Sequence, residues 1–151
     1  MARHRAVPVL INHDNSRTPL RRVRLGNGVH DEGWLQALIH DHPAILPIAD
    51  IEPGFGDLIA AAREVPCGHG FIDNLYLTPS GDIVLVETKL WRNSQMRREV
   101  VAQALDYVSA LSRMGYDVFE AAVARGQRAP ARLYDLVRDH PEALEEAEFI
   151  D

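Results

Sequence analysis

Three charged residues stand inside segments that otherwise read as apolar strands. Asp73 falls within GFIDNLYLT (70–78), and Glu87 and Lys89 fall within DIVLVETKL (82–90). A charge inside such a strand is costly unless it is paired or bound to a metal ion. The segment between the strands, Thr78-Pro79-Ser80-Gly81-Asp82, fits a three-residue hairpin loop, a type I turn followed by Gly81 in the left-handed region. A register symmetric about Ser80 sets Asp73 directly opposite Glu87, with their Cβ atoms ~4.5–5.5 Å apart on one face of the sheet. Lys89, two residues on, shares that face, while Val84, Val86, Thr88 and Leu90 point the other way.

Two carboxylates that close repel, and they either share a proton or bind a divalent cation. Hard oxygen donors without clustered His or Cys suit Mg²⁺ or Mn²⁺ better than Zn²⁺. An ammonium beside such a metal can orient a water or steady a developing phosphate charge. The plain alternative is a cross-strand salt bridge among Asp73, Glu87 and Lys89, and on these residues alone the two readings stay open. Of sixteen basic residues Lys89 is the only lysine. Lysine has a compact ammonium and a pKa that burial can move.

Helices must flank these strands. Ser94 is expected to cap a long helix to about Leu111, whose residues Val100, Val101, Ala104, Leu105, Val108 and Leu111 form an apolar stripe to be buried. Gln103 and Tyr107 are four apart and stack on the flank of that stripe, from where they reach toward the acids; otherwise Gln103 is merely solvated and Tyr107 half-buried. Residues 31–42 read as an earlier helix, with Trp34, Leu35, Leu38 and Ile39 on one side, Asp31 or His30 as its cap, and Pro43 as its end. Glu32 in its first turn either joins the acids or only complements the helix dipole.

The remaining segments are less marked. Strands are expected at 6–11 and 19–25 with a turn at 13–16. Ile45 and Leu46 should pack beneath a loop from Pro43 to Gly56, and 58–65 reads as a strand. Asp117 with Glu120 suggests a capping pair for a helix through Arg125. Residues 126–130 break it, and 131–139 read as helical again. The pair Phe149-Ile150 opens a further apolar segment, so the chain reads as an N-terminal piece of something longer.

Asp73, Glu87-Thr88-Lys89 and Gln103-x-x-x-Tyr107 together resemble the PD-(D/E)xK nuclease superfamily, more narrowly its QxxxY branch of RecB-type and NucS-type endonuclease domains. The similarity spans roughly residues 30–112 and includes Glu32-x-x-Leu35-Gln36 leading to His42-Pro43, with Ile72 in place of the proline of the superfamily's name. The resemblance implies a restriction-endonuclease-like α/β domain, a mixed central β-sheet flanked by α-helices. It implies Asp73 and Glu87 as metal ligands, with the Thr88 carbonyl as a third and Glu32 completing the site, around Mg²⁺ or Mn²⁺. Lys89 would activate the attacking water, and Gln103 and Tyr107 would support the site. Arg92, Arg97 and Arg98 could receive phosphates, or simply form a solvated basic start to the helix.

The net charge of -6 argues against a general nucleic-acid binder, yet residues 1–30 carry six Arg against one Asp, so a local basic patch is available. No apolar run approaches the ~20 residues of a membrane span. A lone Cys67 fits a reducing cytoplasm and has no marked base partner. His40 and His42 face different ways on a helix, and His69, though near Asp73 in sequence, reads as a loop residue. Three parts are expected: an arm over 1–28, a nuclease-like core over 29–125 and a helical segment over 126–151. The expected activity is Mg²⁺-dependent hydrolysis of DNA, endonucleolytic and of repair or defence type, with a homodimer left open. The rivals are a non-catalytic module that keeps the fold to bind nucleic acid or protein, and a structural sheet protein whose charges only form salt bridges.

Overall fold

The computed structural model describes residues 7–26, 28–90 and 95–150, with side chains from Arg98 onward in the helix that begins at Gln95. An exposed two-stranded hairpin comes first, β1 (Val9–Ile11) and β2 (Arg17–Pro19), paired antiparallel with Ile11 opposite Arg17. The second strand therefore precedes the expected 19–25. The cause is a tight turn: Asn15 takes a φ of 65°, the Asp14 carboxylate accepts from the Ser16 N–H at 2.9 Å, and the chain reverses at once.

Helix α1 (Glu32–Asp41) is capped by Asp31, whose Oδ1 accepts from the Trp34 N–H at 2.8 Å, and it ends ahead of Pro43 as expected. Its buried residues are Gln36 and Ile39, so the helix turns a partly polar line toward the sheet rather than the Trp34 side. A short 3₁₀ turn (Pro43–Ile45) and one turn of helix, α2 (Ile48–Ile51), follow. Ile45 is exposed there, against expectation, because the 3₁₀ turn rotates it outward while Leu46 stays half-buried.

Three strands, β3 (Ile59–Cys67), β4 (Gly70–Leu77) and β5 (Ile83–Val86), make an antiparallel sheet in the order β3-β4-β5. The mixed sheet expected from the sequence is, among the described residues, antiparallel throughout. Central β4 is buried on both faces from Ile72 to Leu77. Edge strand β3 tolerates Pro66, shifts register between Ala60 and Ala62, and holds Glu64 at a φ of 51°. The β4–β5 loop is the expected one. Gly81 has a φ of 90°, its N–H bonds the Thr78 carbonyl at 3.0 Å, and the Asp82 carboxylate accepts from the Thr78 and Ser80 hydroxyls.

Helix α3 (Gln95–Leu111) follows; Ser94, its expected cap, lies outside the described residues. Its apolar stripe is not the side that packs. Val101, Leu105 and Val108 are 54, 63 and 51% exposed, whereas Tyr107 is 6% exposed and sits in the core. The reason is Gly70, where a Cβ would lie 2.6 Å from the Tyr107 hydroxyl, so only a glycine admits the ring.

Helix α4 (Tyr116–Gly126) lies on β3, with Gly126 so near the Arg63 carbonyl that any side chain would collide. Gly115 rather than an Asp117–Glu120 pair is its N-cap; Glu120 instead accepts from the Leu133 N–H at 2.9 Å and so caps α5 (Leu133–Val137). The core joins Ile72, Leu75 and Leu77 of β4 to Phe119, Val123, Leu133 and Val137. A last turn of helix, α6 (Glu146–Ile150), returns Phe149 against Tyr134, Tyr116 and the Gly81 turn. Among the described residues no helix is long and apolar enough to cross a membrane.

Candidate functional site

The hairpin register is the one read from the loop. Leu77 pairs with Ile83, Tyr76 with Val84, Leu75 with Leu85 and Asn74 with Val86. The next pair would be Asp73 with Glu87, but the ladder stops at Val86, four residues short of the expected strand end. Side chains take over from the backbone there. Asp73 Oδ2 accepts from the Thr88 N–H at 2.7 Å and from the Thr88 hydroxyl at 2.8 Å. Both residues are buried, so one carboxylate oxygen holds the start of the extended segment that leaves β5.

That segment carries Glu87 and Lys89 side by side. Lys89 Nζ donates to Glu87 Oε1 at 2.8 Å, with the Glu87 side chain 3% exposed and that of Lys89 32% exposed. The other oxygen, Glu87 Oε2, is buried with no hydrogen-bond partner. Burial pushes the Glu87 carboxyl above its usual range; the Lys89 hydrogen bond opposes the rise and the Asp73 charge adds to it. Burial works against the Lys89 ammonium as well. Its bond to Glu87 and the charges of Glu87, Asp73 and Glu32 outweigh that, and its pKa ends higher than usual.

Glu32 closes the other end. From the first turn of α1 its Oε1 accepts from the Leu90 N–H at 2.8 Å, so the segment 87–90 is tied to β4 at one end and to α1 at the other. The structure thus brings Glu32, Asp73, Glu87, Thr88 and Lys89 into one neighbourhood. Thr88, expected to lend its carbonyl, lends its N–H and hydroxyl to Asp73.

Gln103 and Tyr107 lie elsewhere. Gln103 Nε2 donates to the Tyr107 hydroxyl at 2.8 Å, and both line a cavity of about 620 Å³ with Cys67, His69, Gly70 and Arg113. Gly70 is three residues from Asp73, about 10 Å along an extended strand. Neither residue hydrogen-bonds to the acids, so the expected convergence of all six residues is not seen. Burial raises the Cys67 thiol and leaves it unreactive. Arg98 is exposed at the start of α3; Arg92 and the Arg97 side chain lie outside the described residues.

A second polar group lies beneath α1 and was not anticipated. Arg63 Nη2 donates to the Gly33 carbonyl and to Gln36 Oε1, both at 3.3 Å, and Asn74 Nδ2 donates to the Gln36 carbonyl at 3.0 Å. Tyr76 on the same face is fully buried, and that burial pushes its hydroxyl up to about 12. Arg63, set in the apolar run IAAAREV, was the available sign of it: a guanidinium inside a strand needs acceptors.

The acids offer oxygen donors only, and Glu87 Oε2 lacks a partner, which suits a hard divalent cation. Among the described residues, however, no three His, Cys, Asp or Glu side chains already stand in a chelating group. No protein-family model, curated protein or solved structure matches this chain.

Proposed function

We propose that this chain is a metal-dependent nuclease that hydrolyses DNA phosphodiester bonds, endonucleolytically, in a domain of restriction-endonuclease-like architecture. One observation carries the reading: the β4–β5 register sets Asp73 beside Glu87 and Lys89, and Glu32 stands close enough for its charge to act on the lysine. Asp73, Glu87 and the Thr88 carbonyl would hold Mg²⁺ or Mn²⁺, with Glu32 behind them. The bound cation would supply Lewis-acid stabilisation of the charge that develops on the phosphate.

The chain's own groups then have separate tasks. Lys89 is charged at neutral pH and partly solvent-facing, so its ammonium can hold the attacking water at the reacting phosphorus and screen the developing negative charge. The buried Glu87 carboxyl, whose proton affinity is raised, is suited to accept a hydrogen bond from that water. Thr88 fixes Asp73, and Leu90 fixes Glu32, so the carboxylates are oriented before substrate arrives. Such preorganisation is what keeps a site productive at small displacements.

The decisive experiment is cleavage of single-stranded, double-stranded, branched and mismatched DNA with Mg²⁺ or Mn²⁺, with Lys89→Ala as the control. The variant should cut at least about 10²-fold more slowly, in the range seen for losing one preorganised stabilising group. Wild-type rates in Lys89→Ala would sink this mechanism.

One observation favours a second reading. Asp73, Glu87 and Glu32 are each bonded to a donor of this same chain, at 2.7–2.8 Å. A non-catalytic module that binds DNA or protein would look the same. It predicts DNA binding that survives both EDTA and Asp73→Ala, and no cleavage by any form.

A further inference from the structure

At the C-terminal end of α1 the chain encloses a different site. A cavity of about 470 Å³ lies between α1, β3 and the segment that leaves α4, lined by His40, Arg63, Arg125, Gln127 and Arg128. Three of these residues each contribute a buried nitrogen with no hydrogen-bond partner: His40 Nδ1, Arg63 Nε and Gln127 Nε2. Native interiors rarely leave even one such group unmade, and three around one cavity mark a missing acceptor.

The neighbouring bonds fix which atoms are left free. Gln127 Oε1 accepts from the Ala131 N–H at 2.7 Å, which orients the amide and leaves Nε2 as its free donor. The Arg63 guanidinium is held on its far side by Gly33 and Gln36, which leaves Nε free. Arg63 and Arg128 both stand near enough to His40 for their charges to join burial in lowering its pKa, so the positive groups face a common space. Arg125 and Arg128 are exposed at the rim. Two acids, Asp41 and Glu64, also border the cavity, but both are exposed and solvent-screened, and the unmatched donors are buried.

We propose that this cavity binds a phosphate group. A tetrahedral oxyanion presents several acceptor oxygens at once, and guanidinium and amide N–H groups are the donors that suit it. His40 is eight residues from Glu32 on the same helix, about 12 Å by helical rise, so the site is separate from the acids at the other end of α1. The phosphate comes either from a free phosphate or from the phosphodiester backbone of a nucleic acid.

The test reads binding in EDTA, without cleavage, so it stands or falls apart from the nuclease reading. Calorimetry with inorganic phosphate against chloride of equal ionic strength forms one arm. Fluorescence anisotropy with an oligothymidylate lacking terminal phosphates forms the other. Gln127→Glu keeps the acceptor for Ala131 and puts a carboxylate oxygen in place of the free donor; it should weaken phosphate binding about tenfold or more. Arg128→Ala, at an exposed position, should weaken it about threefold and serves as the deciding variant if Gln127→Glu fails to fold. Loss confined to inorganic phosphate assigns a free phosphate, and loss that extends to the oligothymidylate assigns a backbone phosphodiester. No binding at millimolar phosphate in the first arm and none of the oligothymidylate in the second, or affinities unchanged in the folded variants, overturns the proposal.

Discussion

The two ends of helix α1 solve the problem of buried polar groups in opposite ways. At the N-terminal end every acid has a donor from this chain: Thr88 for Asp73, Lys89 for Glu87, and the Leu90 N–H for Glu32. At the C-terminal end the groups are donors, and three of them have nothing to bond. The acid end is assembled and held in place before anything binds, with one oxygen to spare. The donor end is left for something outside the chain to complete. Their stabilities should therefore respond differently to substitution and to added ligand.

The acid end should break most severely. Asp73→Ala leaves the Thr88 N–H and hydroxyl buried without an acceptor, and unsatisfied groups of this kind cost about 1–3 kcal/mol each. Urea unfolding should show a loss of about 3 kcal/mol, and a loss below about 1 kcal/mol would mean the segment 87–90 is not held there. At the donor end, Gly126→Ala forces α4 away from the Arg63 carbonyl and should cost about 1–3 kcal/mol, as overpacking does. Added phosphate should not restore that loss if the cavity has been distorted; full restoration would separate the α4–β3 contact from the site.

The smallest effect is a pH dependence. Glu87 has a folded pKa raised above 4.5, so the native state binds its proton more tightly than the unfolded state does. That contribution is fully present below 4.5 and is lost as pH rises through the raised value. Wild type should therefore lose stability relative to Glu87→Gln across that window, measured by denaturant midpoints at a series of pH values. The opposite slope would mean the Lys89 ammonium outweighs burial.

What the sequence revealed followed from local chemistry. Pro79-Ser80-Gly81 specifies a turn by its own backbone preferences, and the turn sets the register of Asn74 through Leu77 against Ile83 through Val86. Asp31 caps α1 for the same kind of reason. What it concealed depends on contacts far apart in the chain. The end of β5 at Val86 is decided by Thr88 bonding to a side chain fifteen residues earlier. The buried side of α3 is decided by the bare backbone at Gly70, which outweighs a continuous apolar stripe that periodicity alone would bury. Gln103 and Tyr107 moved with that rotation and away from the acids. The donors around His40, Arg63 and Gln127 come from three separate segments, and no spacing in the sequence links them.

The irregularities of β3 have a consequence for assembly. An open sheet edge ordinarily offers a row of free N–H and C=O groups on which a strand from another molecule can settle. Along β3 that row is interrupted at the Ala60–Ala62 shift, again at Glu64 with its left-handed backbone, and again at Pro66, which has no N–H to give. The stretches between are shorter than the five or six residues of an ordinary strand. Two copies of this chain would therefore have to meet through side chains, because this margin cannot zip one sheet onto the next.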